Sequence, residues 1–161
     1  IETLKFISNE YLHSFQKSIS KSGNDPRKKI IRIIENDFSK KICTREKIAV
    51  WFTFFSEIKY KPAYHQICKE RDLYYQSVTE NIFADLIKIE KNKLSKKNVA
   101  RGFQALIMGL WLDQLEDPDT FNRTQSKKIC FEFIKCNNSD TNHFLHISWL
   151  LEKLSMKSVS L

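Results

Sequence analysis

The chain has 161 residues, 42% of them hydrophobic, and carries a net charge of +8 from 27 basic and 19 acidic side chains. That length suits one domain with a core large enough to stand without disulfide or metal staples. Three glycines and three prolines are too few to punctuate the many turns of an all-β fold, so long helices are expected.

The first segment places Leu4, Ile7, Tyr11, Phe15 and Ile19 at three- and four-residue spacings, one face of a helix that Gly23 and Asn24 stop. Asp25 then stands as an N-cap with Pro26 at the first helical position, and Ile30, Ile31, Ile33, Ile34 and Phe38 give the next apolar face. A third helix is predicted from roughly Thr44 to Lys59. Its Ile48, Val50, Trp51, Phe52, Phe54, Phe55 and Ile58 cover about 200° of the wheel, wider than the stripe of an ordinary surface helix. Pro62 re-aims the chain into a long helix from about Ala63 to Lys88, with Ile67, Tyr74, Tyr75, Val78, Ile82, Phe83 and Leu86 at helical spacing. The run KIEKNKLSKK, Lys88 to Lys97, reads as a solvated interhelix loop, and Ser95 caps a helix to about Leu115. "DPDTF" breaks that helix before another from about Asn122 to Lys135, and a last one is predicted over Thr141–Lys157. The chain therefore reads as an all-α bundle of seven helices, with 1–137 as the main domain and 138–161 as a helical extension.

The segment VARGFQALIMGLWLDQL, Val99 to Leu115, is apolar nearly all round and has to be covered on opposite sides. Gly102, Ala105 and Gly109 form a smooth strip on it, although each glycine costs about 1 kcal/mol of helix stability relative to alanine. Two readings stand side by side: the glycines admit a neighbour within the chain, or they belong to a subunit contact. In the second reading, Gly102, Ala105, Leu106 and Gly109 join Ile129 and Phe133 of the following helix in a homodimer of four-helix type.

Two stretches carry a family likeness. REKIAVWFTFFSEIKYKPAYHQICKERDLYYQSV resembles the effector domain of TetR-type repressors of the BetI class, in which a Trp/Phe-rich helix passes through a short basic-Pro link into a long helix with an Arg-rich middle. ARGFQALIMGLWLDQL followed by QSKKICFEFI is similar to the dimerisation helices of the same class, and the likeness spans about residues 1 to 136. It implies a TetR-type effector and dimerisation domain with an extra C-terminal helix. It also implies that a helix-turn-helix head precedes Ile1 in the full protein, so that operator DNA is a partner only through that head. The implied function is a one-component switch in which a small effector, choline for BetI-like members, shifts a dimer away from its operator; the alternatives are a regulator of this type for another ligand, an amphipathic cation or an acyl-CoA, and a helical scaffold that only dimerises.

A quaternary ammonium donates no hydrogen bonds, so a protein captures it with aromatic faces, each contact contributing roughly 0.5–2 kcal/mol, often beside a carboxylate. Trp51, Phe55 and Glu57, with Trp111 and Asp113 on the glycine-bearing helix and Tyr74, Tyr75 and Phe103, are the candidates for such a cage. Rings at helical spacing also simply fill cores, which is the alternative for every one of them. Catalysis is not expected, because no two Glu-x-x-His pairs, no phosphate-cradling glycine loop and no nucleophile elbow occur. Nor are metals or cofactors. Cys43, Cys68, Cys130 and Cys136 show no CxxC spacing and no zinc pattern with the histidines. No apolar run suits a membrane span and no signal-peptide core follows a basic stretch, so a soluble, cytoplasmic protein without a membrane partner is expected.

Overall fold

A computed structural model describes residues 1–57, 60–91 and 93–136. They form six helices and, among the described residues, no strand: α1 (Glu2–Ser20), α2 (Pro26–Asp37), α3 (Arg45–Glu57), α4 (Pro62–Ile89), α5 (Lys96–Glu116) and α6 (Arg123–Cys136). The helix expected over Thr141–Lys157 lies outside the described residues.

Local chemistry sets the helix boundaries. Gly23 adopts φ +66°, a left-handed conformation open to glycine, and turns the chain out of α1. The Asp25 carboxylate accepts from the Arg27 backbone N–H at 2.9 Å, with Pro26 just inside the helix. The Ser95 hydroxyl accepts from Asn98 N–H at 3.4 Å and opens α5.

The long helix α4 is the spine, packed against α5, α1 and α2, while α5 also touches α3 and α6. From α1 come Leu4, Ile7, Tyr11 and Phe15, from α2 Ile30, Ile33 and Ile34, from α4 Ile82, Phe83 and Leu86, and from α5 Phe103, Ile107 and Leu110, all buried in one core. Removing each such side chain from water contributes roughly 1.5–3 kcal/mol. The described residues of the lysine-rich run are exposed apart from Glu90, and the loop is shorter than expected because both ends of the run are helical. Lys88 and Ile89 complete α4, and the Glu90 side chain, only 4% exposed, pairs with Arg27 of α2 and ties the α4–α5 link to the bundle.

Candidate functional site

Three helices each turn one strip of side chains toward a shared hollow of about 410 Å³, and two more touch it with one residue each. From α3 come Trp51, Phe52 and Phe55, from α4 Arg71, Asp72 and Tyr75, and from α5 Arg101, Gln104, Ile107, Met108 and Trp111. Tyr11 of α1 and Asp37, the last residue of α2, line it as well. The spacings 51/52/55, 71/72/75 and 104/107/108/111 are those of a single helical face, so the walls need no irregular backbone. The volume falls in the ordinary range for small-molecule sites, and the mixture of rings with a few convergent polar groups is what such sites share.

A buried hydrogen-bond cluster supports the hollow. Tyr11 Oη donates to Asp37 Oδ1 at 2.8 Å, Asn36 Nδ2 donates to the same oxygen at 3.1 Å, and Tyr75 Oη donates to Oδ2 at 3.5 Å. Trp111 Nε1–H donates to the Asp37 backbone carbonyl at 3.0 Å. Asp37 thus ties α1, α4 and α5 to the end of α2. Burial pushes its carboxyl up to about 7 against the opposing pull of the three donors, so it titrates near neutrality. The same burial, with Asp37 alongside, raises the Tyr11 and Tyr75 phenols well above their usual range.

Arg71 is the second buried ionisable group, only 7% exposed. Its guanidinium lies 4.0 Å from the Trp51 ring centroid and 6.0 Å from that of Tyr11, inside the range of cation–π attraction. Nε and Nη2 both donate to Asp72 Oδ1, the former at 2.7 Å. Trp51 also stacks on Phe55, with ring centroids 6.0 Å apart. One face of the aromatic wall is therefore already covered by a cation of the chain itself.

With this geometry in place, comparison with known proteins is decisive at one level. The family described as BetI-type transcriptional repressor, C-terminal, matches residues 26–136, from the start of α2 to the end of α6. The chain belongs to this BetI-type family of TetR repressors. Among relatives, the HTH-type transcriptional regulator BetI of Pectobacterium carotovorum subsp. carotovorum (strain PC1) is 24% identical over 132 residues, covering 80% of this chain and 64% of that protein. The BetI of Proteus mirabilis (strain HI4320) is 26% identical over 113 residues, covering 70% and 54%. The BetI-type chain thus spans less than two thirds of the length of these two relatives. A crystal structure of a transcriptional regulator from Pseudomonas aeruginosa PAO1 superimposes with a TM-score of 0.78 at 17% identity, over 86% of this chain and 67% of that one, a likeness of fold.

The BetI-type domain brings four of the eight expected cage residues together: Trp51, Phe55, Tyr75 and Trp111 line the hollow. The other four stand elsewhere. Glu57 is half-exposed and pairs with Lys61 at 3.2 Å. Asp113 is exposed and lines a separate groove between the C-terminal end of α5 and α6. Tyr74 is 37% exposed and packs edge-on against Phe15, and Phe103 is fully buried against Phe83 with centroids 5.5 Å apart. The reason for both acids is helical geometry: each lies two residues from a lining ring, about 200° around its helix. Tyr11, Asp37, Arg71 and Arg101 were not anticipated. Two of them carry a readable signal, since Asp37 continues the Ile30–Ile33–Ile34 register and Arg71 stands between Ile67 and Tyr75, both positions that should be apolar.

Of the residues expected at a subunit contact, Gly102 has a neighbour within the chain: a Cβ there would meet Phe133 Cζ at 3.3 Å. A Cβ on Gly109 would meet nothing within 4 Å, and Ala105 is exposed beside it. Leu106, Ile129 and Phe133 are half-buried at the packed face of α5 and α6. Among the described residues no group of His, Cys, Asp and Glu is arranged to hold a metal. No described helix is long and apolar enough to cross a membrane.

Proposed function

We propose that this chain is the effector-sensing and dimerising part of a BetI-type repressor, in which a small molecule held among α1, α3, α4 and α5 biases a homodimer between operator-binding and released arrangements. The hollow of about 410 Å³ carries this reading, because a cavity lined by several helices lets one ligand alter how they pack. In this reading the domain changes affinity and catalyses nothing. DNA contact belongs to a helix-turn-helix head outside these residues.

Choline is the effector that the family likeness implies, and the faces of Trp51, Phe55, Tyr75 and Trp111 favour it. A second reading, a regulator of the same type answering to another ligand, is favoured by Arg71, which already stacks on Trp51. Thermal shift and calorimetry with a panel that includes choline test both. A ligand that prefers the folded state must raise its apparent stability, and saturable binding should be lost in Trp51→Ala. A panel without any shift contradicts the sensing role.

Homodimerisation is tested at Gly109. Gly109→Arg enters open space within one chain, so it should leave helicity unchanged while moving the sedimenting species from dimer to monomer. A variant that stays dimeric removes the Ala105–Gly109 strip from the interface.

A further inference from the structure

We infer that the hollow is built for a small anion with an apolar body, a carboxylate carried on an aryl or short alkyl group, rather than for a free cation. This rests on the sensing role proposed above and narrows it to a ligand class.

The argument is one of charge already committed. Lining the hollow are two acids and two arginines, Asp37, Asp72, Arg71 and Arg101. Asp72 is engaged by Arg71 through two guanidinium nitrogens. Asp37 accepts from Tyr11, Asn36 and Tyr75, and burial keeps its proton on until about neutral pH. Both carboxyls are thus already engaged by groups of the chain, Asp72 by Arg71 and Asp37 by three hydrogen-bond donors, and at neutral pH Asp37 is only partly ionised. The Trp51 face that an incoming cation would use is already taken by Arg71.

The arginines point the other way. Arg71 uses Nε and Nη2 on Asp72, which leaves Nη1 outside that pair. Arg101, exposed at the rim, has no ion pair or hydrogen-bond acceptor among the described residues. A guanidinium fork recognises a carboxylate bidentately. Phe52, Phe55, Ile107 and Met108 offer apolar walls for the rest of such a molecule, and the chain's net charge of +8 attracts anions to it.

The test is calorimetry on the whole chain with three probes matched in size: 3-phenylpropionate, 3-phenylpropanamide and 3-phenylpropylammonium, with choline as a fourth. The carboxylate should bind at least tenfold tighter than the amide, with both cations weaker still. Arg101→Gln, at an exposed position that should not disturb folding, should weaken the carboxylate by about tenfold, the loss expected for a charge-assisted hydrogen bond, and leave the amide unchanged. Arg101→Lys should recover part of the loss. If choline or the ammonium probe binds tighter than the carboxylate, the anion assignment is wrong and the sensing role stands. Equal binding of all three matched probes, or an Arg101→Gln variant unaltered toward the carboxylate, also overturns it. If none of the four binds while other ligands in the wider panel stabilise the fold, the assignment again fails alone. No stabilisation by any ligand removes the sensing role as well.

Discussion

Helix α5 borders two hollows of opposite character. Along one face, Arg101, Gln104, Ile107, Met108 and Trp111 wall the aromatic cavity, where Asp37 and Arg71 are buried and held by named partners. At its C-terminal end, Leu110, Asp113, Glu116 and Asp117 border a groove toward α6 whose carboxylates are exposed. The groove is a seam between two helices, and its acids face water. The cavity has a cost built into it, since burying Asp37 and Arg71 is unfavourable unless each is hydrogen-bonded or paired. Ionisable groups kept in such a place mark where a protein has a use for them.

Breaking the cavity wall should have the largest effect. Trp111→Ala deletes a buried ring, costing about 3–5 kcal/mol, and leaves the Asp37 carbonyl without its donor, adding roughly 1 kcal/mol. Urea unfolding would show this as a lower midpoint, and a loss under about 1 kcal/mol would mean that the ring supports nothing. Next comes the proton on Asp37. Its folded value is raised from 3.8 to about 7, so the folded chain holds the proton more tightly than the unfolded one. Stability should therefore fall as pH rises from about 4 to 7 and level off above. The full loss is on the order of 4 kcal/mol for a shift of that size. Asp37→Asn should flatten this slope in denaturation curves taken between pH 5 and 8. The groove supplies the control. Asp113→Asn should change stability by less than about 0.5 kcal/mol and leave ligand binding untouched, as for exposed residues away from any buried network. A large effect at Asp113 would erase the contrast between the two hollows.

The helices were readable because their signals are local. Asp25 before Pro26 and Ser95 before an apolar run announce helix starts with their own side chains, and both cap as expected. Part of the cavity was readable too, since Trp51, Phe55, Tyr75 and Trp111 recur at spacings that put them on inner faces. What escaped was the direction of the neighbouring acids and the burial of charge. Proximity in sequence suggested Glu57 and Asp113, yet two residues along a helix is the far side. Asp37 and Arg71 look like surface residues by type, and only their place in the apolar register says otherwise. Tyr11 was correctly set on the inner face of the first helix, but its bond to Asp37 joins residues 26 apart and has no local signature.

The most direct test of the cavity as the ligand site is the proton exchanged on binding at pH 7, measured for 3-phenylpropionate by calorimetry in two buffers of different ionisation enthalpy. Asp37 faces Tyr11 from α1, Tyr75 from α4, Cys43 from the α2–α3 link and Cys130 from α6. Burial raises the two thiols to about 11 and about 12 and keeps them neutral, and the two phenols lie well above their usual range. Asp37 is then the titrating group of this set near pH 7, and an anion beside it favours its protonated form. The account predicts net proton uptake by the native chain, absent in Asp37→Asn. Proton release, or an uptake that Asp37→Asn leaves unchanged, would contradict it.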